Sequence, residues 1–240
     1  MQQELIDLHV KNGATWLDIG GYSSRPGAEH IPEQEEIERI KFAISYALEA
    51  YPEVKISVDT FQSEVASYVL EQGVHLINDI SGGLINPEIF DLVAAHEVPY
   101  VLMHMRGTPQ TMSQLNQYHH LLQDVIVELG NQLEKARNAG VKDIIIDPGF
   151  GFAKNSDQNL ELFAFLEAFQ LFDLPLLVGI SRKSLIYKTL EIEAADSLNG
   201  TSVLNTLALE KGANILRVHD VKEAIETIKL WSAVKANYQL

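Results

Sequence analysis

Cysteine is absent from this chain, and basic residues are scarce. Without cysteine the protein has no disulfide and no thiolate chemistry, which fits a reducing compartment. Only 18 lysines and arginines accompany 33 acidic residues, for a formal net charge of −15. This balance argues against nucleic acid as a partner, because the basic footprint is missing. No apolar run approaches the roughly 18 residues of a membrane span, so we expect a cytoplasmic protein without a membrane partner.

The alternation of apolar runs with helical segments indicates the fold class. The runs are rich in Ile, Val and Leu, as expected for a parallel sheet buried on both faces. Polar residues end four of them, which is typical of a (β/α) barrel with its active site at the carboxyl ends of the strands. The length and the 46% hydrophobic content suit one domain over residues 1–240. The predicted strands cover residues 15–19, 55–59, 75–80, 100–105, 142–147, 174–180 and 214–218.

The number of predicted strands is one short of a closed barrel. Seven strand-like runs are present, and the chain opens with a helix-like pattern over residues 1–11. A closed barrel of this class has a strand before that helix. We therefore predict an α/β fold of the TIM (β/α)8 type that lacks its first strand.

Three polar residues at strand ends suit a flat heterocycle. Asp59 and Asp147 each end an apolar run, and a carboxylate there can accept two parallel N–H bonds from a guanidine-like ring edge such as that of a pterin. Asn78 ends a third run and offers both a donor and an acceptor. The structural alternative is an N-cap or ion pair for the aspartates and a turn into residues 81–83 for Asn78.

Cations follow the last two runs. Lys183 takes the place after the seventh strand of a full barrel, and Arg217 and His219 follow the eighth. The loops at these places are the usual phosphate site of this fold, beside a helix N-terminus. Arg217 offers a planar fork for phosphate oxygens or a flat ring, and His219 can donate near neutral pH. Arg25 lies in the loop GGYSSRPG at residues 20–27, a type that carries binding or gating residues.

The segment DPGFGF at residues 147–152 combines turning and apolar residues. Its two glycines allow a sharp turn and close approach of the backbone. Phe150 and Phe152 offer an apolar wall for an aromatic substrate, although we expect one of them to belong to the core. His104 is expected to be packed or hydrogen-bonded at the barrel mouth rather than a zinc ligand, because no metal-binding spacing accompanies it.

Together these segments resemble dihydropteroate synthase, the pterin-binding transferase family of folate synthesis. Any one motif is weak, whereas seven in the family's order are highly specific. Ser24 stands where the family usually has Thr, and Tyr22 where it often has Glu. The family's first strand and its NxTPDSFxDGG loop have no counterpart here. The matching motifs are DIGGYSSRPGA (18–28), SVDT (57–60), NDI (78–80), LMHM (102–105), DPGFGF (147–152), GISRKS (179–184) and RVHD (217–220).

The resemblance implies an activity and roles for single residues. The family joins p-aminobenzoate to 6-hydroxymethyl-7,8-dihydropterin pyrophosphate and releases pyrophosphate, which Mg²⁺ accompanies, and its members form homodimers. By resemblance Lys183, Arg217 and Asp147 act in catalysis, and no residue is expected to be a protein metal ligand. The implied substrate-binding residues are Asp59, Asn78, Asp147 and Lys183 for the pterin, Arg217 for pterin and phosphate, His219 and Arg25 for pyrophosphate, Ser24, Pro26, Ser181 and Phe152 for p-aminobenzoate, and also Gly179 and Met103.

Three hypotheses for the function stay open at this point. The first is an active synthase, and the second is an N-terminally truncated, non-catalytic pterin-binding remnant of the same family. The third is another pterin-binding barrel, of the methyltetrahydrofolate–corrinoid methyltransferase type. The motifs GISRKS and RVHD favour the synthase over the third hypothesis, because their cations suit a pyrophosphate that methyl transfer does not need.

Overall fold

A computed structural model of the chain describes residues 2–25 and 27–237. Within them the strands and helices alternate as the sequence predicts. The strands are β1 (Trp16–Gly20), β2 (Lys55–Asp59), β3 (Leu76–Asp79), β4 (Tyr100–Met103), β5 (Ile144–Asp147), β6 (Leu177–Val178) and β7 (Ile215–Leu216). The α-helices are α1 (Gln2–Lys11), α2 (Glu33–Ala50), α3 (Ser63–Glu71), α4 (Ile89–His96), α5 (Leu121–Asn138), α6 (Ser156–Ala164), α7 (Ser184–Leu190), α8 (Leu198–Glu210) and α9 (Val221–Asn237).

All strand pairs are parallel and follow the chain order. Strands β1 to β5 form one sheet, and β6 pairs with β7. A parallel bridge between Ile146 and Leu176 links the two groups. Among the residues that the structure describes, no ladder joins β7 to β1, and this is where the sequence pattern predicts the missing strand. The α/β class is confirmed, while the extent of the domain over residues 1–240 stays a prediction.

Strand periodicity sorts the side chains into two layers. Alternate residues such as Ile77 and Leu102 belong to the main core between the strands and the helices. The residues between them, such as Leu76, Val101 and Ile145, form a separate cluster on the other face. Side chains alternate along a strand, so a residue two places further on faces the same way. Polar residues that continue the second set therefore meet on the inner face, at the carboxyl ends of the strands.

Several element boundaries differ from the prediction. The helix predicted over residues 114–139 is a 3₁₀ turn (Met112–Gln114) followed by α5, which begins at Leu121. The helix predicted over 156–169 begins correctly, because Asn155 and Gln158 form a capping box, but it gives way at Phe165 to a 3₁₀ segment. The helix predicted over 194–211 is likewise divided at Ser197.

In the described ranges no helix combines the length and apolar content needed to cross a membrane.

Candidate functional site

An ion-pair cluster lies on the inner face at the carboxyl ends of β1, β2 and β3. The Arg217 guanidinium donates to Asp18 Oδ2 over 2.5 Å and to Asp59 Oδ2 over 2.9 Å. Asn78 Nδ2 donates to the same Asp18 oxygen over 3.0 Å, and Ser57 Oγ donates to the other over 2.7 Å. The strand register makes this possible, because Asp18 is level with Ser57 and Asp59 with Asn78. The cluster ties the last strand to the first three.

Asp18 is the central residue of this cluster, and it is not among the predicted site residues. It opens the motif DIGGYSSRPGA, yet it lies inside a predicted strand rather than at its end. The signal that identifies it is periodicity. Leu17 belongs to the main core and Ile19 packs against it, so the acid between them faces inward.

The second part of the site surrounds the loop after β5. Asp147 is buried, and its Oδ1 accepts from the backbone N–H of Gly149 over 2.8 Å. Gly149 has a φ of +71°, and a Cβ there would lie 2.0 Å from the carbonyl oxygen of His104, so only glycine fits. Lys183 Nζ donates to the carbonyl oxygen of Phe150 over 2.5 Å and lies 5.0 Å from the centre of the Phe152 ring.

Charges and burial shift the pKa values of these groups. Burial raises the pKa of Asp59 to about 7, although the nearby Arg217 opposes the shift. Burial also raises the pKa of Asp147, against the attraction of Lys183. Burial lowers the pKa of Lys183 to about 8, and Asp147 opposes this. The charge of Asp18 raises the pKa of Arg217, which stays a cation throughout. The inner face therefore has a permanent cation, Arg217, beside an acid, Asp59, whose pKa is raised to about 7.

The loops after β6 and β7 form the rim of the site. Ser181 is buried, and its Oγ accepts from the backbone N–H of His219 over 3.2 Å and lies 3.1 Å from its Nδ1. Burial lowers the pKa of His219. At Gly179 an added Cβ would lie 3.7 Å from the Arg217 Cβ and 4.0 Å from Lys183 Nζ. Gly179 therefore lies in van der Waals range of the side chains of both cations.

The loop at residues 20–27 is not joined to the cluster in the same way. Ser24 is half-buried and Arg25 is exposed, and Pro26 lies outside the described residues. The loop is tied instead to residues 109 and 110, through Gly27 N–H donating to the Pro109 carbonyl over 3.0 Å and Gln110 Nε2 donating to the Ala28 carbonyl over 2.7 Å. None of the described hydrogen bonds and ion pairs links Ser24 or Arg25 to the inner-face cluster.

Other predicted residues divide between core and site. Phe150 belongs to the main core, which confirms the structural role expected for one of the two phenylalanines. Phe152 packs with Met103 in a smaller cluster beside Lys183. The structural alternative for Asn78 is a turn into residues 81–83. The neighbouring Asp79 makes that turn, because its carboxylate accepts from the backbone N–H groups of Ser81 and Gly83. Asn78 is thereby left to face inward.

Comparison with known proteins agrees with this geometry. A family model described as pterin binding enzyme matches residues 4–219. A dihydropteroate synthase from Synechocystis is 42% identical over 228 residues, which are 94% of this chain and 78% of that protein. The structure of the Yersinia pestis dihydropteroate synthase with a sulfonamide drug superposes with a TM-score of 0.93 at 36% identity, covering 98% of this chain and 85% of that one. The Thermus thermophilus enzyme in complex with 4-aminobenzoate superposes with a TM-score of 0.87 at 34% identity, covering 96% and 88%. The chain belongs to the dihydropteroate synthase family of pterin binding enzymes.

Proposed function

We propose that this protein condenses p-aminobenzoate with 6-hydroxymethyl-7,8-dihydropterin pyrophosphate and releases pyrophosphate. The observation that carries the proposal is the inner face itself, where acids on β1, β2 and β5 lie beside the cations that follow β6 and β7. The bound 4-aminobenzoate of the Thermus thermophilus relative supports the same substrate class. The cations that suit a pyrophosphate distinguish this function from that of a methyl-transferring pterin barrel.

The pterin is recognised by hydrogen bonds that match its ring edge. Asp147 and Asp59 accept from the ring N–H groups, and Asn78 supplies a donor and an acceptor. Lys183 donates to a ring acceptor from its position above the loop carbonyl. Burial strengthens each of these bonds, because water does not compete for them.

The reaction needs no nucleophile from the protein. The amine nitrogen of p-aminobenzoate attacks the pterin methylene carbon, the bond from that carbon to the pyrophosphate oxygen breaks, and the amine loses a proton. Negative charge grows on the leaving group, where Arg217, His219 and Arg25 stabilise it. Positive charge grows on the pterin, where a carboxylate is favourable. Phe152, Met103 and Ser181 shield the reacting carbon from water.

Mg²⁺ is proposed as a companion of the pyrophosphate oxygens. In residues 2–25 and 27–237 no group of three or more His, Asp or Glu side chains is arranged to hold a metal. The proposed ion is held mainly by phosphate oxygens and water, as is common for Mg²⁺. Such an ion would neutralise charge on the leaving group.

A homodimer is proposed through the outer faces of α8 and α9. The exposed apolar residues on these adjacent helices include Val203, Leu207, Leu230 and Val234. Burying them against a second copy removes apolar surface from water. Light scattering is expected to give twice the mass of one chain for the wild type, and the mass of one chain for Leu230→Glu.

The cytoplasmic location stays a prediction that cell fractionation would test.

The proposed function is tested by titration followed by turnover. Calorimetry with the pterin pyrophosphate and Mg²⁺ is expected to show binding, and adding p-aminobenzoate is expected to give dihydropteroate and pyrophosphate. Binding without turnover would instead favour a non-catalytic pterin-binding protein. If no pterin binds, the assigned pocket is wrong. Pyrophosphate is expected to compete with the pterin pyrophosphate, which a methyl-transferring barrel would not show.

A further inference from the structure

Lys154 is a buried lysine that none of the roles above uses. It lies just beyond the DPGFGF segment, and its Nζ contacts three acceptors. These are His104 Nδ1 at 2.9 Å and the carbonyl oxygens of Gly149 and Phe152, each at 3.0 Å. The protonated amine has three N–H donors, so all of them are matched, and burial lowers the pKa of Lys154 to about 7. Burying a cation is costly without such partners, which indicates that the contacts have a purpose beyond filling space.

The imidazole of His104, which contacts Lys154, is held on its other side by a carboxylate. His104 Nε2 lies 3.0 Å from Glu128 Oε2, and the Arg106 guanidinium holds the same carboxylate. Burial lowers the pKa of His104 to about 4, so the ring is neutral. A neutral ring that donates from Nε2 to a carboxylate presents Nδ1 as an acceptor, which is what the Lys154 ammonium requires. The contacts thus run from Arg106 through Glu128 of α5 and His104 to Lys154 in the loop.

The two carbonyls that Lys154 holds flank the carbonyl that Lys183 contacts. Gly149 and Phe152 lie on either side of Phe150, whose oxygen accepts from Lys183 over 2.5 Å. Other side chains hold the same loop: Asn159 Oδ1 accepts from Gly151 N–H over 2.7 Å, and Tyr118 donates to the Ala153 carbonyl over 3.0 Å. Of these described contacts, those of Lys154 are the ones that bind both flanks of Phe150.

We propose that Lys154 is a positioning residue that fixes the loop over residues 149–152 and, through the Phe150 carbonyl, aims the Lys183 ammonium at the pterin. The proposal rests on the proposed function, since it assigns Lys183 a pterin contact. The main effect is expected on that contact, and a smaller one on p-aminobenzoate through Phe152, whose carbonyl Lys154 also holds. The rim residues Ser181 and His219, assigned to p-aminobenzoate and pyrophosphate, are hydrogen-bonded to each other, and no described hydrogen bond joins them to this loop.

The first test needs no substrate. Hydrogen exchange of the peptide over residues 148–153 is measured in the ligand-free protein for the wild type, Lys154→Met and the control Lys142→Met, whose lysine is 73% exposed. At least about tenfold faster exchange is expected in Lys154→Met alone. Unchanged exchange would overturn the proposal whether or not the protein is a synthase. Absent turnover in the wild type would refute the proposed function without altering this readout.

The second test separates positioning from general damage. In Lys154→Met the KM for the pterin pyrophosphate is expected to rise about tenfold, while that for p-aminobenzoate stays within about twofold. In a Lys183→Ala background the same change is expected to add less than about twofold. Equal effects on both KM values, or fully additive effects, would overturn the proposal.

If Lys154→Met does not fold, Lys154→Arg is measured instead. Its larger cation is expected to raise the pterin KM alone, and an unchanged value counts against the proposal.

Discussion

The two halves of the inner face differ in charge and in exposure. Strands β1 to β5 supply acids whose side chains are largely shielded, at 18% exposed for Asp18 and 12% for Asp59. The end of β7 supplies Arg217, whose side chain is 42% exposed. Shielded carboxylates are unfavourable without a partner, and the opposite half provides it. The two halves are therefore joined by ion pairs from Arg217 to Asp18 and Asp59.

The halves also differ in how their side chains are held. Asp18 and Asp147 each have a fixed neighbour within the β1–β5 half, Ser57 for the first and the Gly149 N–H for the second. Arg217 is held by carboxylates 199 and 158 residues away along the chain. A ligand that competes for the acids would release this guanidinium while the acids stay in place. We therefore expect the acidic half to be preformed and the basic half to adjust to the pyrophosphate.

Breaking the link between the halves is expected to have the largest effect. Arg217→Met removes the cation from two shielded carboxylates and from the leaving group. We expect kcat/KM to fall at least about 100-fold, which is about 2.7 kcal/mol. Removing one partner of a fully buried ion pair costs about 3–5 kcal/mol of stability, and about 2–3 is expected here because the guanidinium is partly exposed. Steady-state kinetics and urea unfolding measure the two losses.

A matched control for this change lies on α5. Arg137 is exposed in the last turn of that helix, so Arg137→Met alters net charge equally without touching the inner face. It is expected to keep kcat/KM within about threefold. A similar loss in both variants would mean that overall charge, rather than the link between the halves, explains the effect.

A smaller effect is expected from removing one pterin contact in either half. Lys183→Ala on the basic side and Asp147→Ala on the acidic side each delete one charged hydrogen-bond partner. Such a loss costs on the order of 1.5–3 kcal/mol, or about 10- to 150-fold in Kd for the pterin. Calorimetry gives the values, and Lys188→Ala, an exposed position on α7, is the control. An unchanged Kd in either variant would refute the role assigned to that residue.

The two halves are also expected to titrate in opposite directions. The pKa of Asp59 is raised to about 7 by burial, so the acceptor form is lost below that pH. The pKa of Lys183 is lowered to about 8 by burial, so the ammonium form is lost above it. Pterin affinity should therefore be greatest between about pH 7 and 8 and fall by up to about tenfold per pH unit outside that range. Titration over pH 5–10 checks this, with Asp59→Asn expected to lose only the acidic limb.

Much of the fold was predictable, because buried parallel strands have an apolar signature. The prediction for β2 has the observed bounds, that for β1 is shifted by one residue, and those for the other strands are too long at their ends. A strand ends where its backbone hydrogen bonds to the neighbouring strand end, and β6 has only two paired residues for this reason. The amino-acid composition of a segment does not indicate how far its neighbour extends. The 3₁₀ segment after Phe165 was missed for a related reason, because its apolar residues suit an α-helix equally well.

The site was predictable only where a polar residue ends a strand. Asp59, Asn78 and Asp147 satisfy that pattern, whereas Asp18 lies within a strand and is identified by its inward register. Lys154 has no pattern of its own. Its role depends on a histidine 50 residues earlier and on two loop carbonyls, which only the folded chain brings together. Contacts between a side chain and a distant backbone leave little trace in the sequence.

The smallest effect is expected from Glu36, a buried acid of α2 whose charge raises the pKa of Asp59 in the acidic half. Gln62 Nε2 donates to its Oε2, while its Oε1 has no hydrogen-bond partner among the residues that the structure describes. Burial raises its pKa above the ordinary value of 4.5. The folded state then binds more protons than the unfolded state above pH 4.5, so this group lowers stability as the pH rises. Glu36→Gln removes that dependence.

Relative to the wild type, Glu36→Gln should therefore gain stability between pH 5 and pH 8, by about 0.5–1 kcal/mol, the size of one net hydrogen bond. Urea unfolding at both pH values measures the difference, and Glu38→Gln, a side chain 53% exposed on the same helix, should show none. A loss of stability that grows with pH would mean that Glu36 is held as a carboxylate by a favourable partner. The expectation that Glu36 lacks a compensating cation would then be wrong, and Arg39, whose charge already opposes the rise in its pKa, would be the residue to remove next.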